Sequence, residues 1–109
     1  MKKVIWTPVA KESLEQTEEF LSELWSDQVV EEFLDKLDYR IEQIKQNPEL
    51  APTFQQSEFR RLLIHKTVSL FYKNQPKFIK LLLVWDNRVK PTELLSKLTD
   101  ANIRQKSIG

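Results

Sequence analysis

The chain has 109 residues, 40% of them hydrophobic, with no cysteine, one histidine, one glycine (the last residue) and a formal net charge of +1. That length supports one domain with a modest core. The composition excludes disulfides, thiolate chemistry and glycine-dependent phosphate loops, and a lone histidine argues against a catalytic zinc centre. The small net charge conceals two blocks of opposite sign. Residues 12–49 hold 12 Asp/Glu against 3 Lys/Arg, a net of −9, whereas residues 59–109 hold 11 Lys/Arg against 3 Asp/Glu, a net of +8. Polarity of this kind speaks to partners rather than to fold, and the basic half should attract something acidic.

The opening segment MKKVIWTPVAKE carries two lysines with no apolar run behind them, so it does not read as a signal peptide. No stretch approaches the roughly 20 apolar residues that a membrane span needs. The expectation is a soluble, cytoplasmic protein. Within the opening segment, Lys3 to Trp6 is β-prone, and Thr7-Pro8 supplies an N-cap followed by the residue best suited to a first helical position.

Ala10, Leu14, Thr17, Leu21 and Leu24 then recur at spacings of three and four, with Phe20 and Trp25 widening the stripe. Glu12, Glu15, Glu18, Glu19 and Glu23 fill the other faces, which predicts an amphipathic helix with an acidic exterior. Ser26-Asp27 interrupts the pattern and can cap a second helix. Val30, Phe33, Leu34, Leu37, Ile41 and Ile44 form its stripe, and Asn47-Pro48 ends it. So short a connection requires the two helices to fold back as a hairpin.

Residues 48–58 contain two prolines and little periodicity, and read as a link in which Phe54 serves as an anchor. With glycine absent from every turn, turns should fall on Asn, Asp, Pro and Ser. Three strands follow in FRRLLIHKT, VSLFYK and KFIKLLLVWDNR, joined by turns at residues 65–67 and 74–77, as an antiparallel meander. Pro91 starts a short helix bearing Leu94, Leu95 and Leu98, and residues 98–109 read as a frayed tail. The order β-α-α-β-β-β-α implies an α+β fold: an N-terminal strand, a two-helix antiparallel hairpin packed on the β-meander, and a short C-terminal helix. Pattern alone leaves open whether Lys3 to Trp6 joins the sheet, though an edge position suits it.

The candidate functional residues lie in the strands. Arg60 and Arg61 are adjacent, so they point to opposite sides of the sheet. Tyr72 alternates with Val68 and Leu70, which puts its ring in the core and its hydroxyl at the rim. Trp85 ends an apolar run and should be buried. His65 and Lys66 sit in a turn, where a lone histidine is more often a surface residue than a catalyst. Asp86 and Arg88 share a face of a continuing strand, either as a local ion pair or as an arginine free to hold a phosphate or carboxylate.

The ordered set VIWTPVAKESL, helical hairpin, RRLLIHKTVSLFYK and IKLLLVWDNRVKPTEL resembles the RelE/ParE superfamily of bacterial toxins from type II toxin–antitoxin modules. Its most specific elements are Arg61 at the start of the second strand, Tyr72 ending the third, and a last strand closing in Asp86-x-Arg88 and followed by Pro91. The resemblance implies a single toxin domain over residues 1–109, without cofactor or metal. RelE-like members are ribosome-dependent mRNA endonucleases that hold the scissile phosphate with basic residues, here Arg61, His65, Lys66 and Arg88 as candidates. They commonly use a late Tyr or His, and this chain has no Tyr after Tyr72 and no His after His65. ParE-like members have the longer hairpin and poison DNA gyrase by protein contacts, and the chain is closer to that plasmid-stabilisation branch.

Either branch implies a cognate antitoxin, expected to be acidic and to fold on contact against Arg60, Arg61, Tyr72 and Arg88. Ordering such a segment costs several kcal/mol, so the interface should exceed about 1,600 Å² in total. A third reading, outside toxins, is a basic nucleic-acid-binding module whose affinity would be steeply salt-dependent.

Overall fold

The computed structural model describes residues 1–88 and 94–108, with side chains described through Ile103. In chain order the elements are β1 (Lys3–Trp6), α1 (Pro8–Leu24), α2 (Asp27–Gln46), β2 (Phe59–His65), β3 (Val68–Asn74), β4 (Phe78–Asp86) and α3 (Leu94–Ile108). The four strands form one sheet in the order β1-β4-β3-β2. β2, β3 and β4 pair antiparallel as the meander expected from the sequence. β1 does join the sheet, but it runs parallel to β4, because the whole helical hairpin and the meander lie between them in sequence. The sheet is therefore mixed.

Both helix starts follow from their caps. The Thr7 hydroxyl accepts from the Ala10 N–H at 3.1 Å with Pro8 in the first turn, and the Ser26 hydroxyl accepts from the Val29 N–H at 3.3 Å. The helices pack on one face of the sheet. Phe33, Leu37, Ile41 and Ile44 of α2 and Ala10 and Leu21 of α1 meet Leu62, Ile64, Val68, Leu70, Tyr72, Ile79, Leu81 and Val84 of the strands. Each fully buried aliphatic side chain of this kind contributes about 1.5–3 kcal/mol.

A second core lies on the opposite face, where Leu94, Leu98 and Ala101 of α3 cover Phe59, Phe71, Leu82 and Leu83. The segment read as a frayed tail is helical through Ile108, and burial of Leu98 and Ala101 is what holds it down. Polar residues in DANIR hid that continuation. The helix start expected at Pro91 lies outside the described residues.

Two bulges set which side chains face which core. Between Phe71 and Tyr72 the register shifts against Leu83 and Leu81, so Leu82 is extra, and Leu82 and Leu83 both face α3. A second shift between Leu63 and His65 leaves Ile64 extra and returns His65 to the hairpin side.

β1 covers only the first part of β4, and α1 takes over where it stops. The Thr7 hydroxyl donates to Leu81 O at 2.8 Å, and the buried Ser13 hydroxyl accepts from the Val84 N–H at 2.9 Å. Small polar residues at the N-cap and on the inner face of α1 thus bond backbone groups of β4.

The linker behaves as more than a link. Phe54 N donates to Phe59 O at 2.7 Å and Arg61 N to Pro52 O at 3.1 Å, so residues 52–54 cover the first half of the β2 edge. Phe54 anchors it as expected, packing edge-on against Phe71 at 5.1 Å between centroids. The turn that follows places Gln55 and Gln56 at φ 49° and 57°, a left-handed pair not foreseen for glutamines. Each such residue costs about 1–2 kcal/mol. Ser57 closes this turn, its hydroxyl donating to Phe54 O at 2.5 Å and accepting from the Phe59 N–H at 3.1 Å.

Candidate functional site

The six residues singled out in the strands fall into three places. Arg60 and Tyr72 are paired across β2 and β3 on the hairpin face, and both are engaged with the linker. The Arg60 guanidinium donates to Ala51 O at 2.7 Å and Glu49 O at 3.4 Å. Tyr72 is fully buried; its hydroxyl donates to Pro48 O at 2.8 Å and accepts from the Ala51 N–H at 3.4 Å. Burial pushes its phenol above the ordinary value, against the opposing pull of Ala51, Arg60 and Arg40. Tyr72 offers no surface to a partner in this structure. Its place near the end of β3, bonded to the linker, makes it a clamp, and its burial corrects its expected position on a binding face.

Arg61 is exposed on the opposite, α3 side of the sheet. Its Nε donates to the Ser69 hydroxyl at 3.2 Å, and Ser69 also accepts from Asn87 Nδ2 at 2.9 Å. Alternation along β2 puts it there, as the sequence required for one of the two adjacent arginines.

His65, Lys66 and Arg88 are brought together. They line a hollow of about 360 Å³ with Lys36 of α2, and Leu21, Trp25 and Val29 form its apolar part. The bulge before His65 turns the imidazole toward α2, where Lys36 Nζ lies 3.0 Å from His65 Nδ1. An ammonium has only donors, so Nδ1 accepts, the ring is neutral and its proton is on Nε2. Partial burial, then Lys36 and Lys66, hold the imidazole below its usual 6.5, with Glu32 opposing them.

Arg88 enters from the end of β4. It holds Asp86 in two parallel bonds, Nε to Oδ1 at 3.1 Å and Nη2 to Oδ2 at 2.7 Å. These bonds keep the Asp86 carboxyl below its usual value. Its guanidinium also lies 5.5 Å from the centre of the Phe20 ring. Of the two readings of this pair, the local ion pair is formed, yet Arg88 stays exposed and its remaining donors are available to a partner.

The sequence missed the hairpin's share of this site. Trp25, Leu24 and Phe20 belong to the apolar stripe of the sequence, but they are 66%, 54% and 41% exposed. Lys36 was overlooked as part of an acidic surface. The available signal was its rarity, as one of three basic residues between positions 12 and 49. Lys80 was also missed: it is buried in β4 on the α3 side, with Nζ donating to Asn102 Oδ1 at 2.7 Å. Trp85, expected to be buried, is half-buried at the margin of the second core.

The arrangement suits recognition of a group that is apolar at one end and anionic at the other. Among the described residues no cluster of His, Cys, Asp or Glu could hold a metal ion, and no helix is long and apolar enough to cross a membrane.

Comparison with known proteins places the fold. Residues 4–89 match the profile of the ParE toxin of the type II toxin–antitoxin system parDE. No curated protein matches the sequence. A solved structure titled "Chromosomal ParDE TA system from P. aeruginosa" is similar in fold, with a TM-score of 0.68 at 16% identity, covering 79% of this chain and 96% of the other. The matched stretch spans β1 through the Asp86–Arg88 pair and so contains every residue of the hairpin-tip hollow. The chain belongs to the ParE toxin family of type II toxin–antitoxin systems.

Proposed function

We propose that this toxin arrests growth by binding DNA gyrase, without chemistry of its own, and that a cognate acidic antitoxin neutralises it. The observation that carries the first half is the separation of the four basic candidates. A RelE-like endonuclease needs them convergent on one phosphate-sized site. Arg61 lies on the α3 side of the sheet, held to Ser69, whereas His65, Lys66 and Arg88 line a hollow on the hairpin side. Three cationic or titratable groups without the sheet arginine make a docking surface more readily than a catalytic one. The neutral, Lys36-bonded His65 is also poorly disposed to act as a general acid near neutral pH.

The antitoxin half rests on family membership and on charge. The net of +8 over residues 59–109 supplies long-range attraction for an acidic segment. Arg61 and Arg88 are the strand-region arginines whose side chains are exposed, and they are the residues we assign to that contact.

Induction of the chain without its antitoxin should stop growth while bulk mRNA stays intact, and co-expression of the acidic neighbouring-gene product should restore growth. Rapid cleavage of ribosome-bound mRNA on induction would overturn the gyrase assignment in favour of the endonuclease.

A further inference from the structure

The hollow at the hairpin tip combines two features that a solvated surface does not usually carry together. The first is apolar exposure: Phe20, Leu24 and Trp25 stand out at the end of the hairpin, next to the hollow's Leu21 and Val29. The second is uncompensated positive charge. Among the described residues the ion pairs are Lys45–Glu42, Lys73–Glu58 and Arg88–Asp86, so Lys36 and Lys66 have no carboxylate within bonding distance. Lys36 instead donates to a neutral imidazole. The carboxylate among the residues lining the hollow is Glu32. A volume of about 360 Å³ falls in the range of pockets that seat a small ligand or a side chain.

We propose that this hollow seats an acidic, amphipathic segment of the antitoxin, a bulky apolar side chain entering against Leu21, Trp25 and Val29 while a carboxylate settles among Lys36, Lys66 and Arg88. The proposal rests on the antitoxin reading above and adds to it a location and a proton. The groups that face His65 are Glu32 and Lys36 from α2 and Lys66 from the β2–β3 turn, and the same hollow is lined by Arg88 just past β4, which is bonded to Asp86 at the strand's end. In the free chain partial burial, and then the charges of Lys36 and Lys66, outweigh Glu32 and disfavour the imidazolium. A carboxylate arriving among the cations offsets their share of that effect and gives Lys36 a better acceptor than Nδ1. His65 then binds a proton more readily in the complex than in the free chain. Affinity therefore increases as pH falls through the imidazole range, well above the point at which partner carboxylates protonate.

Because His65 is the chain's one histidine, its ring-proton resonances report this directly. The complex is the full-length chain co-purified with the acidic protein encoded beside it, and the measurements are the His65 NMR titration and the dissociation constant. The expected results are an upward move of the His65 midpoint on complex formation and affinity losses of about tenfold each for Trp25→Ala and Lys66→Glu. Both positions are exposed, so an unchanged Tm for each variant separates lost binding from lost folding. An unmoved His65 midpoint with wild-type affinity in both variants would overturn the seat while leaving the antitoxin reading intact. Loss with Trp25→Ala alone and no movement of His65 would overturn the carboxylate contact. If the wild-type chain binds no acidic partner, the seat and the antitoxin reading fall together.

Discussion

Arg60 and Tyr72 at the linker end of the sheet, and Trp25, Lys66 and Arg88 at its hairpin-tip end, are built from the same kinds of side chain and serve opposite ends. At the linker end, the side chains bond to the backbone of residues 48–51: Arg60 donates to Ala51 O, and Tyr72 joins Pro48 O and the Ala51 N–H. At the tip, an aromatic ring and the cations face solvent, and Lys36 and Lys66 have no carboxylate partner among the described residues. What separates a structural arginine or aromatic from one available for recognition is whether nearby backbone already satisfies it. Residue type does not decide the matter.

The sharpest way to break this comparison is to truncate one aromatic from each region. Tyr72→Ala removes a fully buried ring and its two linker bonds and should cost about 3–5 kcal/mol in denaturant unfolding. Trp25→Ala, at a residue 66% exposed, should change stability by no more than about 0.5 kcal/mol. Equal losses would mean that the tip is as structural as the linker end.

A second test concerns the α1 contact that replaces β1 along β4. Ser13→Ala leaves the buried Val84 N–H without its acceptor and should destabilise the chain by about 1–3 kcal/mol. Ser22→Ala, which removes an exposed bond to Asp27, should be near neutral. Hydrogen exchange at Val84 would locate the effect.

Next in size is the association rate with the antitoxin. Charge reversal at Arg88 or Arg61 should slow association more than reversal at Glu15 or Glu18, with the difference shrinking as salt rises. Silent arginines together with sensitive helix acids would move the binding face to the hairpin exterior.

The smallest effect is a titration. Asp86 is held below its usual carboxyl value by Arg88, so the stability it contributes is present above the unfolded value of 3.8 and is lost as pH falls through the lower folded value. Arg88→Ala should raise the Asp86 midpoint toward the unfolded value, measured by NMR, with little change in stability at neutral pH because the pair is largely solvated.

Much of the fold was legible because its signals are local. Thr7-Pro8, Ser26-Asp27 and Asn47-Pro48 mark the helix ends, and the stripes of α1 and α2 carry the 3.6-residue period. What escaped reading depends on geometry beyond any single segment. The bulge at Leu63–His65 sends His65 to the opposite face from Arg61 despite their even spacing, and no residue type in RRLLIH announces it. The apolar stripe does not reveal that Trp25 is left 66% exposed, and the docking of α3 depends on Phe71, Leu82 and Leu83 offering a second apolar face. The candidate site was half visible, since His65, Lys66 and Arg88 stood out as basic residues among the strands, whereas Lys36 and Trp25 were hidden within a helix pair whose periodicity spoke only of core and solvent.

The central claim, growth inhibition by binding rather than by catalysis, is tested most directly by titrating the purified chain into a DNA gyrase supercoiling reaction. The account predicts dose-dependent loss of supercoiling, reversed by the acidic antitoxin and unaffected by His65→Gln at neutral pH. Full supercoiling at every dose, alongside cleavage of mRNA on ribosomes by the same preparation, would contradict it.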